Sequence, residues 1–290
     1  MRHSHSNSML IHYGLRASIL LGFALLIVFL TRSGDLILYI APRMQLYVKL
    51  SAIAFFVAAV YQVYLILENS SAHSDDCHCE HPPSPSLLKN GITYTLFLLP
   101  LLLGYLLPDE AMNSAMVNKK GINLSSAPTT NPPGEGIRIA ETGLFPAEDP
   151  FTQIYADYAK TIYKHNVIEV KDELYIETLT TLDMFRKPFL GKTISITGFI
   201  YRAEGMKANE FAVSRFSVEC CSADAAPYGM LADFPKASVL KDNEWVQVEG
   251  KLSESKLGEE RILKINVTNI RRITAPASPY VYYNYNFGSE

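Results

Sequence analysis

Two short stretches of this 290-residue chain gather side chains that could bind a metal or react. The first is His73-Ser74-Asp75-Asp76-Cys77-His78-Cys79-Glu80-His81. Thiolates and imidazoles suit zinc(II) or copper(I), so Cys77 and Cys79 are expected to reach one ion, with His73, His78 or His81 completing a tetrahedron. No second Cys/His pair follows at finger spacing, so the stretch is not a zinc finger. The alternative is a polar loop that ends in the stiff Pro82-Pro83-Ser84-Pro85.

The second stretch runs from Arg215 through Glu219-Cys220-Cys221-Ser222-Ala223-Asp224. If a strand continues past Glu219, Cys220 shares its inner face with Phe216 and Val218, and Cys221 shares the other face with Arg215. A guanidinium beside a thiol lowers its pKa and favours the thiolate, for metal binding or for exchange chemistry at Cys221. Adjacent cysteines on a strand point apart. Cys220, Cys221 and Asp224 can therefore hold one ion, zinc being the expected one, only if Ser222 and Asp224 turn the chain. The alternative is one core cysteine with an incidental neighbour. No Ser-His-Asp set, phosphate-binding glycine loop or dinucleotide fingerprint is present, and the chain is not read as an enzyme.

The elements that must position these groups differ along the chain. Hydrophobic residues make up 48% of it and the net charge is −3, but most charged residues follow Pro108. Three stretches before that point are expected to cross a bilayer, which takes about 20 apolar residues each. They are Ile11 to Leu30, Met44 to Leu67, and Leu87 to Leu107, the last containing Lys89 near its start and Pro100 near its middle. The first lacks a small-residue cleavage pattern at Thr31-Arg32-Ser33-Gly34, which separates it from a signal peptide. Arginine and lysine in the flanks lean towards a cytoplasmic C-terminal domain without fixing its side. No ionised residue sits deep in a span, so a pump or channel built from this chain alone is not expected.

Residues 1–110 are thus read as a transmembrane region with the His/Cys-rich loop at 70–86. Residues 111–148 turn to Asn, Ser, Thr, Pro and Gly and read as a flexible linker. Asp149-Pro150 then has the character of an N-cap and first helical residue, with Phe151, Ile154, Tyr155, Tyr158 and Ile162 following at helical spacing. A second helical pattern covers Leu174 to Phe185. Five alternating stretches come next: Lys192–Arg202, Glu210–Glu219, Tyr228–Phe234, Glu244–Leu252 and Arg261–Ile270. Gly198 and Gly250 lie inside two of them, where glycine permits a sharp bend. The number and length of these strands predict an OB-like five-stranded barrel with a preceding helix over 149–275, an open five-stranded sheet being the alternative, and a tail over 276–290. OB barrels often bind single-stranded nucleic acid, and Tyr201, Phe211 and Phe216 could stack on bases. The domain is not basic, however, and no nucleic-acid partner is expected.

The spans, the run Gly191-Lys192 through Gly198-Phe199-Ile200-Tyr201-Arg202, and Arg215 with Cys220-Cys221-Ser222-Ala223-Asp224-Ala225 resemble the YcgQ-type family of bacterial membrane proteins. The resemblance covers most of the chain. It implies a multi-pass protein of the cell membrane that partners a predicted multi-pass permease of the YcgR type, with a link to zinc or other metal handling. The function expected is therefore an accessory permease subunit. The alternatives are a metal-binding sensor or buffer protein resting on the His73–His81 cluster, and a membrane-tethered thiol protein using Cys221.

Overall fold

The computed structural model describes residues 2–71, 87–122, 124, 143–257 and 260–289. They form two compact units that divide between Glu110 and Ala111.

The first unit is helical: α1 (Arg2–Ser33), α2 (Gln45–Ser71) and α3 (Leu87–Leu106). Helix α1 gives way at Gly34, whose φ of 90° suits a residue without a Cβ, and two 3-10 turns lead into α2. Much of the apolar surface of these helices points outward. Phe56 and Val57 are 52% and 61% exposed, a waste of burial in water but the natural arrangement in lipid. The segments Met9–Ser33 and Pro42–Glu68, 25 and 27 residues long, are long and apolar enough to cross a membrane. The stretch of the third expected span is helix α3, in which Lys89 and Asn90 in the first turn shorten the apolar run, and it is not among the segments long and apolar enough to cross.

The second unit begins with α4 (Ser114–Lys120), which is capped by the Asn113 side chain accepting from the Ala115 N–H. Val117 is fully buried, and the Ser114 N–H donates to Asn243 Oδ1 at 2.7 Å. The start of the expected linker is therefore ordered structure of the second unit, because Val117 supplies an apolar anchor that a polar composition conceals. Residues 125–142 of that linker lie outside the described residues. Helix α5 (Pro150–Tyr163) starts at a capping box between Asp149 and Thr152. The short β1 (Val167–Glu169) pairs parallel with β2 (Thr193–Tyr201). Between them lies α6 (Tyr175–Met184), buried along nearly its whole length.

The sheet closes on itself. β2 pairs antiparallel with both β3 (Glu210–Ser217) and β5 (Trp245–Leu257). β4 (Ala226–Asp233) pairs antiparallel with β3 and parallel with β6 (Glu260–Arg272), and β5 joins β6. The circuit β2-β5-β6-β4-β3-β2 is a closed five-stranded barrel, not an open sheet. Ile194, Ile196, Val213, Val248 and Ile265 are among the residues of its core, each at most 1% exposed.

Closure depends on two glycines. A Cβ on Gly198 would lie 2.6 Å from the Ser214 carbonyl oxygen, where β2 passes from β5 to β3. A Cβ on Gly250, at the β-bulge of β5, would lie 2.3 Å from the Asn266 carbonyl oxygen. Both contacts are with backbone, which has little freedom to move.

The expected tail is also part of the fold. β7 (Tyr280–Val281) pairs parallel with Phe216 and Ser217 of β3, taking over that edge where β2 leaves it. Farther on, Phe287 packs against Tyr155 and Tyr158 of α5 at centroid distances of 5.1 and 5.2 Å. These aromatic residues bury ring area that a tail would leave in water.

Gly198→Ala is expected to destabilise the second unit by about 1–3 kcal/mol through overpacking. Urea unfolding followed by fluorescence of Trp245, the single tryptophan of the chain, reads this directly. Wild-type stability in the variant would show that β2 and β3 do not meet this closely.

Candidate functional site

Strand β3 is buried on both faces, every residue from Glu210 to Ser217 included. Arg215 is among them, with no exposed surface at all. Its guanidinium is held from two directions. Nη1 and Nη2 donate to the Asp172 carboxylate at 2.9 and 3.4 Å. Nε donates to the Pro279 carbonyl at 3.1 Å, and Nη2 to the carbonyls of Ser278 and Tyr280 at 2.9 and 3.4 Å. The group also lies over the rings of Trp245 and Tyr175, at 5.2 and 5.9 Å from their centroids. All three guanidinium nitrogens donate, so Arg215 is a structural clamp.

The chain then leaves the strand. The Val218 N–H still donates to the Val281 carbonyl at 3.1 Å, after which the Asp224 carboxylate gathers the next three amides. Oδ1 accepts from the Glu219 N–H at 2.8 Å, and Oδ2 from those of Cys220 and Cys221 at 2.8 and 3.0 Å. The Asp224 N–H in turn donates to the Cys221 carbonyl at 3.1 Å. This side-chain capture bends residues 219–224 into a turn between β3 and β4. Strand alternation therefore stops before the cysteines, which corrects the expected placement. Cys220 is exposed instead of sharing the buried face of Phe216 and Val218, and Cys221 does not share the face of the enclosed Arg215.

The turn brings the predicted trio together. Cys220 and Cys221 are free thiols with their sulfurs 3.6 Å apart, and one ligand atom from each of Cys220, Cys221 and Asp224 lies within 4.8 Å of the others. Desolvation pushes the Asp224 carboxyl upward. The hydrogen bonds from the Cys220 thiol and from the amides of Glu219, Cys220 and Cys221 outweigh it and hold the pKa at about 2. The same carboxylate, followed by the hydrogen bond with Cys221, pushes the Cys220 thiol up to about 12. At neutral pH Cys220 is therefore a protonated thiol beside a fixed negative charge, the reverse of the arrangement that activates a cysteine nucleophile.

The other expected cluster, His73, Cys77, His78, Cys79 and His81, lies outside the described residues. Tyr201, Phe211 and Phe216, the rings expected to stack on bases, are 4%, 0% and 1% exposed. They are committed to packing, so no base could reach them.

Several groups around the clamp escaped the sequence reading. Asp172 sits in the charged run Lys171-Asp172-Glu173, which looks like ordinary surface. Glu177 is 3% exposed on α6. Its Oε1 accepts from the Asn284 N–H at 2.7 Å, and burial raises its pKa. No local signal distinguishes Glu177 from the solvated acids nearby.

Two family models match the chain, the DUF1980 N-terminal domain over residues 15–123 and the DUF1980 C-terminal domain over residues 145–283. Among similar proteins, UPF0703 protein YcgQ of Bacillus subtilis is 28% identical, covering 92% of this chain and 98% of that protein. A protein of Streptococcus mutans, provisionally named as a two-component membrane permease complex subunit, is 24% identical with the same two coverages.

Replacing Arg215 by Leu is expected to cost about 3–5 kcal/mol, because it leaves the inward-facing carbonyls unpaired. Lys is not expected to restore the loss, since an ammonium lacks the planar fork. Asp172→Asn should cost clearly less, because the Asp172 side chain is 48% exposed and can be rehydrated. Urea unfolding monitored by Trp245 fluorescence checks the ranking, and an equal cost for Arg215→Leu and Asp172→Asn would contradict it.

Proposed function

Because the chain belongs to the DUF1980 family and carries both of its domains, we propose that it is an accessory subunit of a membrane permease. The observation that carries the reading is the name of the Streptococcus mutans relative, a permease complex subunit similar over 92% of this chain. Physical features of the chain agree with it. No charged residue lies between Ala17 and Thr31 or between Leu50 and Leu67, so the two apolar helices offer no ionised group to a permeating ion. The interior of the C-terminal barrel is filled by packed apolar side chains. A translocation path is then the task of a multi-pass partner, and this chain contributes an anchor and a folded domain beside it.

We further read α3 as a third membrane span. Helices α1 and α2 are joined by a short connection, which makes them antiparallel neighbours. α3 packs along α1 in parallel: His12 Nδ1 lies 2.7 Å from the Tyr94 hydroxyl, and Gly22 and Leu26 of α1 meet Leu101 and Gly104 of α3. The Tyr105 hydroxyl donates to the Gly22 carbonyl at 3.2 Å. A helix that follows α1 through this length shares its surroundings. We also read the barrel as OB-type, since its strands close in the order first-second-third-fifth-fourth with the third and fifth parallel.

Isolation of the tagged chain from native membranes in mild detergent is expected to recover a multi-pass membrane protein in constant ratio. A chain that elutes alone in every mild detergent would overturn the subunit reading. Three spans also place the N-terminus and the barrel on opposite sides of the bilayer. With the four native cysteines replaced by Ser, a membrane-impermeant maleimide applied to intact cells should label only one of Ser4→Cys and Lys256→Cys. Equal labelling of the two would remove α3 from the count.

A further inference from the structure

We propose that Cys220, Cys221 and Asp224 form an open-sided site for a thiophilic divalent cation, of the kind that accepts mixed sulfur and oxygen ligands in a tetrahedron. The turn overcomes the usual objection to adjacent cysteines, whose side chains diverge on a strand. Because the Asp224 carboxylate holds the amides of Glu219, Cys220 and Cys221, both thiols project towards one point. Their sulfurs are 3.6 Å apart, so an ion ~2.3 Å from each would subtend an S–metal–S angle of roughly 100°, close to tetrahedral.

The third ligand is built into the same turn. An ionised carboxylate has about four acceptor directions. Backbone amides of the turn take three of them, which leaves one direction for an ion. A cation seated between the sulfurs would lie within reach of that direction, since the three ligand atoms are within 4.8 Å of one another. Two sulfurs with one oxygen select against magnesium and calcium, which take all-oxygen shells, and favour zinc-class ions. Cys220 and Asp224 are exposed and Cys221 is half-buried. The fourth position therefore faces outward, open to water or to a donor from another molecule, as suits an ion that is passed on and not locked in.

The site stands independently of the permease-subunit reading. A chain that co-purifies with no permease can still bind the ion, and a permease subunit can lack it. The test uses cobalt(II) as the probe and the detergent-solubilised 290-residue chain carrying Cys77→Ser/Cys79→Ser, so that the loop thiols cannot contribute. The expected result is about one cobalt(II) bound per chain, with thiolate-to-metal charge-transfer absorption in the near ultraviolet. Cys220→Ser and Cys221→Ser should each abolish the band, and Asp224→Asn should weaken binding ~10-fold or more. Unchanged Trp245 fluorescence verifies that the variants fold. A charge-transfer band that survives the loss of both Cys220 and Cys221, or no band in the starting protein, would overturn the site.

Discussion

A guanidinium with no exposed surface is an expensive thing to place inside a small domain, and much of the second unit is arranged around satisfying one. Removing a cation from water costs several kcal/mol even after relaxation, and only well-aligned partners offset it. Arg215 projects from a barrel strand, but none of its polar partners belongs to the barrel circuit. Asp172 comes from the segment that precedes the barrel, and the three carbonyls come from Ser278, Pro279 and Tyr280, which follow it. Burying this one charge obliges both flanking segments to fold onto the barrel. Once Tyr280 and Val281 are there, they pair with the part of β3 that β2 leaves open, so the strand edge is satisfied too.

The dithiol turn inherits its order from the clamp. Val218, the last residue before the turn, is tied by its N–H to Val281, immediately beyond the carbonyls that hold Arg215. The turn thus springs from a paired strand end and not from a frayed one. Asp224 then fixes the three following amides by hydrogen bonds to an ionised acceptor, the stronger kind. An exposed loop with two thiols would ordinarily sample many arrangements. Here the backbone on both sides of the cysteines is pinned, which is what allows their sulfurs to stay side by side.

How legible all this was depends on whether the deciding interactions are local. The Asp149-Pro150 start of α5 is a local signal, and the capping box is where the residues place it. Alternation found the five barrel strands, because that signal survives whatever the partners are; Gly198 and Gly250, expected to permit sharp bends, prove to be where backbones approach closely. Alternation could not report on Arg215. A strand buried on both faces carries no inside-outside contrast, so the parity that placed Cys221 beside the arginine had nothing to anchor it. The turn at Asp224 then broke the register that the parity assumed. The C-terminal segment misled for a different reason: Tyr280-Val281-Tyr282-Tyr283-Asn284-Tyr285-Asn286-Phe287 mixes rings with amides and lacks a period, and its order comes from partners more than 60 residues away.

The helical unit obeys a different logic, and the contrast bears on what the chain can do by itself. In the barrel domain, specificity comes from polar groups that must find partners, because each unpaired one is costly in a dry core. Between α1 and α3 the contacts are mostly of shape: Leu101 lies where Gly22 has no side chain, and Leu26 where Gly104 has none. Close approach through small residues is how helices associate when lipid removes any hydrophobic drive. Helices that pack by shape leave their outer faces apolar, as Ile53, Phe56 and Val57 of α2 do. Such faces suit lipid and the helices of another membrane protein equally well, since the same dispersion contacts hold either neighbour. The bilayer alone thus accounts for an anchor, and the apolar faces require no further partner to explain them.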